Sequence, residues 1–157
     1  MCGFVGFTGD VENKEQVLKS MMDRIVHRGP DMGDTFFAPG VALGFRRLSI
    51  LDLTPAGSQP MSNEDGSVVI VFNGEIYNFM ELRGELEAKG YTFHCGADTE
   101  SLLHGYEEWG EEIVDKLRGM YAFVIWDKKK NRLFGARDIF GIKPFYYSEA
   151  EDGSGLM

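Results

Sequence analysis

Residues 120–127, "MYAFVIWD", and 132–137, "RLFGAR", read as two strands separated by only the four residues "KKKN". A parallel crossover needs about a dozen residues or more, so this pair has to be an antiparallel hairpin. That rules out a purely parallel, doubly wound sheet. Helical spacing appears elsewhere: residues 14–26 carry Val17, Leu18, Met21, Met22 and Ile25, with Asn13 as the expected N-cap. Asn78 and Glu81 have the spacing of a capping box, with Gly90 closing that helix. A third helix fits 99–109, with Leu102, Leu103, Tyr106 and Trp109 on one side and Gly110 as its stop. Residues 2–7, 34–38 and 41–50 read as strands, and "GIKPFYY" as a short one. "VVIVFNG" reads as a buried strand feeding a tight Asn-Gly turn, after a Pro/Gly/Ser/Asn-rich loop over 54–67. Helices mixed with antiparallel strands give an α+β fold. At 157 residues the chain is expected to form one domain with a substantial core.

Charge and hydropathy exclude several functions. Lys plus Arg total 16 and Asp plus Glu 25, a net charge of −9, which argues against binding to nucleic acid or to an anionic membrane. The longest apolar run, "MYAFVIW", is too short to span a bilayer, and no signal peptide is expected at the start. Cys2 and Cys95 are too few for a disulfide framework, so a reducing, cytoplasmic setting is expected. His94, Cys95 and His104 show no metal-binding spacing. His94 and Cys95 are adjacent and would face opposite ways in a strand, so no metal site is expected.

Cys2 stands directly behind the initiator methionine. With Met1 removed, its thiol lies beside a free α-amine of reference pKa about 7.7–8.0, against about 8.5 for the thiol. One residue can then supply both nucleophile and general base. A small buried apolar residue is the competing reading.

Seven blocks occur in order: "MCGFVGF", "HRGPD", "RRLSILD", "FNGEIYN", "ADTE", "LRGMYAFVIWD" and "ARDIFGIKPFYY". Together they resemble the class II, N-terminal-nucleophile glutamine amidotransferase domain. "RRLSI" narrows the resemblance to the glutaminase domain of glutamine-dependent asparagine synthetases. The resemblance implies a four-layer αββα sandwich over residues 1–157, with Cys2 as nucleophile and L-glutamine as substrate. It implies an oxyanion hole from the Asn73 amide and the Gly74 N–H. The implied glutamine site comprises Arg47, Leu48, Ser49, Ile50, Leu51, Asn73, Gly74, Glu75 and Asp98. Arg47 suits the substrate carboxylate as a planar, two-pronged donor, and Asp98 suits the ammonium. Asp98 could equally serve as a helix N-cap, and Asn73-Gly74 as a plain turn. His27 has no obvious catalytic role. Gly33 falls one residue earlier than the family's pattern and Phe45 replaces an often polar residue, so the local loop there is expected to differ.

The same resemblance implies a synthetase domain beyond this chain, which would bind ATP and Mg²⁺; no cofactor is expected in residues 1–157. "GSG" at 153–155 is no phosphate cradle. The acidic tail "SEAEDGSGLM" is expected to enter a strand that the chain does not complete, and a homodimer is conceivable. Two alternatives remain open: an amidotransferase domain serving another acceptor, and an inert glutamine- or partner-binding module.

Overall fold

A computed structural model describes residues 2–48, 57–151 and 153–157. Two antiparallel sheets lie face to face. The first has the order β2-β3-β1-β9-β8, from β1 (Gly3–Thr8), β2 (Met32–Ala38), β3 (Val41–Arg47), β8 (Ser148–Glu149) and β9 (Gly155–Leu156). The second has the order β4-β5-β6-β7, from β4 (Met61–Ser62), β5 (Val68–Ile76), β6 (Gly119–Asp127) and β7 (Arg132–Arg137). Helix α1 (Lys14–Arg24) covers the first sheet; α2 (Phe79–Ala88), α3 (Asp98–Trp109) and the short α4 (Ile113–Lys116) lie on the second. The layers therefore run αββα, as the resemblance implied. No helix among the described residues is long and apolar enough to cross a membrane.

Strand periodicity sorts the core into three layers. On β5, Val69 and Val71, beside Val124 and Trp126 of β6, face the first sheet, where they meet Val41, Leu43 and Phe45 of β3. The alternate residues Val68, Ile70 and Phe72 face Leu82, Leu102, Leu103 and Tyr106 of the helices. Val5, Phe7 and Ala42 pack under Leu18 and Met22 of α1. Both faces of β5 and β6 are thus buried, which is why those strands read as unbroken apolar runs.

Several local expectations give way to longer-range demands. Asn13 sits at the N-cap of α1 in a left-handed conformation (φ 53°) with no side-chain cap bond; only its carbonyl accepts, from Val17 N–H at 3.0 Å. The helix ends at Arg24, followed by a 3₁₀ turn at Val26–Arg28. Asn78 precedes α2 without forming the capping box. Its amide donates to Lys116 O (2.9 Å) and accepts from Arg118 N–H (2.9 Å), tying α2 to the start of β6. Asn73-Gly74 is not a turn, because β5 runs on to Ile76 in register with β6. "GIKPFYY" forms no strand, and strand pairing resumes at Ser148. The irregular loop before β5 contains β4; its residues 54–56 lie outside the described residues. Gly33 and Asp34 fall inside β2, opposite Arg46 and Phe45, so the departure from the family pattern sits on a strand and not in a loop. The acidic tail does enter a strand: β9 pairs with both β8 and β1, and Gly6 and Met157 exchange backbone bonds of 2.8 and 2.9 Å.

Gly29 of "HRGPD" lies flat on the end of β3. A β-carbon there would come within 2.3 Å of the Arg46 carbonyl carbon and 2.6 Å of the Arg47 nitrogen. Backbone cannot yield as a flexible side chain can. Gly29→Ala is expected to destabilise the protein by about 1–3 kcal/mol, read as a lower urea midpoint. A midpoint equal to the parent's would mean that the turn lifts off β3 at no cost.

Candidate active site

A cleft of about 170 Å³ opens where the two sheets part at the start of β1. Of the residues expected in the site, Cys2, Arg47, Leu48, Asn73, Gly74, Glu75 and Asp98 all line it. Ser49, Ile50 and Leu51 lie outside the described residues.

Cys2 immediately precedes β1 and is half-buried. Its Sγ accepts from Leu48 N–H at 3.3 Å and lies 3.5 Å from Leu48 O, so the end of β3 holds the sulfur on both sides. Arg28, from the 3₁₀ turn, donates from Nε to the Cys2 carbonyl at 3.2 Å. "HRGPD" therefore serves the site structurally. Arg28 fixes the backbone of the thiol residue, and Gly29 lets the turn lie against β3. Arg47, at the end of β3, is buried; its guanidinium reaches Ser58 Oγ at 3.5 Å and Met32 Sδ at 3.9 Å.

The alternation that sends Val69 and Val71 toward the first sheet sends Asn73 the same way, toward Cys2. The N–H groups of β5 obey the same period. Phe72 N–H donates to Gln59 Oε1 at 2.6 Å and Ile76 N–H to Asp98 Oδ2 at 2.8 Å, both on the side away from β6. Gly74, midway between them, aims its N–H along the same side, into the cleft. It must be glycine, because a β-carbon would lie 2.3 Å from Met120 O and 2.7 Å from Tyr121 Cα on β6. An amide side chain and a backbone N–H thus line one cleft with a thiol, the kinds of group that can stabilise an oxyanion when sulfur attacks an acyl carbon.

Asp98 is the first residue of α3, and Ala97 holds the N-cap position. Its carboxyl is buried. Burial pushes its pKa up to about 6; the Ile76 N–H opposes that shift and the Glu75 charge adds to it. Arg47 and Asp98 therefore set opposite charges around one cleft, complementary to a zwitterion.

Three further residues of the site had no clear sequence signal. Gln59 lies in a stretch that reads only as loop, yet it is buried, bonding Phe72 through Oε1 and Thr99 Oγ1 through Nε2 at 3.2 Å. Lys143, inside "GIKPFYY", is buried in the cleft wall. Asp138 positions it, accepting from the N–H groups of Tyr121 (3.2 Å), Ile142 (2.9 Å) and Lys143 (3.0 Å). Burial alone would raise the Asp138 pKa; those backbone donors outweigh it and hold the carboxyl below its usual range. The clustering of "RD" and "IKP" within one block was the one available hint.

Comparison with known proteins bears on the family and the fold. Residues 1–157 match the family described as "Glutamine amidotransferase domain". An asparagine synthetase [glutamine-hydrolyzing] 1 of Bacillus subtilis is 53% identical over 97% of this chain and 25% of its own length. An asparagine synthetase [glutamine-hydrolyzing] of Zea mays is 42% identical over 98% of this chain and 26% of its own. The chain thus spans about a quarter of those relatives. A solved glutamine phosphoribosylpyrophosphate amidotransferase from B. subtilis, complexed with ADP and GMP, shares the fold. Its TM-score is 0.80, over 99% of this chain and 41% of that one, at 21% identity.

The raised Asp98 pKa predicts how stability depends on pH. Between the unfolded value of 3.8 and the folded value of about 6, the folded protein binds more protons at this position. Stability contributed here therefore falls as pH rises through that window and stays lower above it. Asp98→Asn keeps an acceptor for Ile76 N–H but cannot ionise. Urea unfolding at about pH 4.5 and about pH 7 should show a smaller loss of stability with rising pH in the variant. An identical change in both proteins would exclude a perturbed Asp98.

Proposed function

Because the chain belongs to the glutamine amidotransferase domain family, we propose that it carries out the glutaminase half-reaction: glutamine plus water gives glutamate plus ammonia. The observation that carries this reading is that the Cys2 thiol, the Asn73 amide and the Gly74 N–H share one cleft with Arg47 and Asp98. Arg47 takes the α-carboxylate of glutamine and Asp98 its α-ammonium, which leaves the side-chain amide to reach the sulfur.

Removal of Met1 frees the Cys2 α-amine. The amine takes the thiol proton as Sγ attacks the amide carbon. A carbon–sulfur bond forms, and the carbonyl oxygen becomes an anion held by Asn73 and Gly74. Collapse breaks the carbon–nitrogen bond, and ammonia leaves with the proton the amine had stored. Water, deprotonated by the same amine, then cleaves the γ-glutamyl thioester and restores the thiol. The parent would use the ammonia to make asparagine. The relatives named asparagine synthetase support that acceptor, and ATP and Mg²⁺ would serve the remaining part of such a parent. The reaction needs Cys2 as a reduced thiol, which suits a reducing, cytoplasmic setting.

The test is glutamate release by the chain freed of Met1. Cys2→Ala should abolish it, Asn73→Ala should lower the rate by about 10²–10³-fold, and Cys95→Ala should leave it at the parent level. Arg47→Lys should raise KM, because a point charge cannot make two parallel bonds to a carboxylate. KM should also rise below about pH 6 as Asp98 is protonated, and Asp98→Asn should lose that dependence. Cys2→Ala activity within about tenfold of the parent would rule out the covalent route.

A further inference from the structure

A second group of side chains lies outside that cleft. His104, in the middle of α3, is only 1% exposed. Its Nδ1 is 2.8 Å from Glu107 Oε2, and Glu107 is itself held by the Asn63 amide at 2.6 Å. With Nδ1–H donated to the carboxylate, Nε2 carries a lone pair. That atom is buried without a hydrogen-bond partner among the described residues. It faces a pocket of about 220 Å³ that shares no lining residue with the candidate active site. Glu64 Oε1 stands 3.7 Å from Nε2 and also 3.7 Å from Nε2 of His94. Glu100 Oε1, 4.0 Å from His104 Nε2, accepts His94 N–H at 2.8 Å, and its Oε2 accepts Cys95 N–H at 2.9 Å. Glu100 thereby fixes the loop that carries His94 and adds a further negative charge.

These features are those of a metal site. A ligating histidine commonly donates its other ring N–H to a carboxylate, which fixes the tautomer. Bond lengths of about 2.0–2.1 Å in a tetrahedron put ligand atoms about 3.3 Å apart. The two 3.7 Å separations from Glu64 need only a few tenths of contraction, while the His94 ring has to swing toward His104; the Glu64 and His94 side chains are 55% and 66% exposed and able to turn. Two imidazoles and one carboxylate suit Zn²⁺ among the divalent cations. We propose that His104, His94 and Glu64 bind one Zn²⁺ ion, with Glu107 orienting His104 and water completing the coordination. The ion would clasp the segment after β4 and the loop before α3 onto α3, the helix whose first residue is Asp98. No zinc pattern shows in the sequence because the ligands come from three separate segments.

Zn²⁺ alone, titrated calorimetrically into the metal-free chain near neutral pH, should bind once per chain and raise Tm. X-ray absorption should show a nitrogen and oxygen shell without sulfur. Glu64→Ala and His94→Ala, both at exposed side chains, should each weaken binding at least tenfold without unfolding the protein. Glu107→Gln should weaken it by about 10–100-fold. No binding, a sulfur ligand, or an affinity unchanged in Glu64→Ala and His94→Ala would overturn the proposal.

Discussion

The edge of β5 organises the site. The strand β4 pairs only with Val69 and Ile70, so from Phe72 to Ile76 β5 has no strand beside it on that side among the described residues. A buried N–H without a partner costs about 1–3 kcal/mol. Gln59 and Asp98 each take one, and in doing so pin the loop before β4 and the start of α3 to the same strand. The N–H left between them belongs to Gly74. The proposed oxyanion donor and the carboxylate proposed to bind the substrate ammonium therefore stem from one unfinished ladder. Neither could be moved without rebuilding the other.

On the other wall, the thiol is held by equally plain means. Leu48 grips the sulfur through its backbone, Arg28 fixes the Cys2 carbonyl, and Gly29 lets that turn lie on β3. Asp138 plays the matching part behind β6, gathering backbone donors so that Lys143 faces inward. Each wall of the cleft is set by a strand end joined to a short turn, and the inter-sheet core of Val71, Phe45 and Val124 keeps the walls apart.

Patterns confined to a few residues are legible in the sequence. The "KKKN" hairpin, the periodicity of α1 and α3, and the position of Cys2 all need only short-range reading. Where sequence and structure part, tertiary partners are the main cause. Asn13, Asn78 and Asn73-Gly74 carry strong local preferences for caps and turns, but at Asn78 and Asn73-Gly74 tertiary partners claim the same groups. Asn78 bonds to residues 38 and 40 positions away, and Gly74 is held in register by β6. Gln59 is invisible in the sequence because its role depends on Phe72 and Thr99, which only the folded chain brings to it. The His104 group fails every spacing rule for a metal site because spacing cannot see across segments.

The bond that ties Asp98 to β5 bears on how such a domain could diversify. One carboxylate oxygen is committed to the strand, which locks the side-chain torsion before any ligand arrives, so little rotamer entropy remains to be lost on binding. The same commitment makes the position a poor starting point for new specificity. A lineage drifting toward amides that lack the amine would have to keep the carboxylate for the sake of the strand and carry an idle charge. Innovation is channelled instead to residues that face the cleft without closing the ladder, and a carboxylate in the cleft persists as a by-product of architecture.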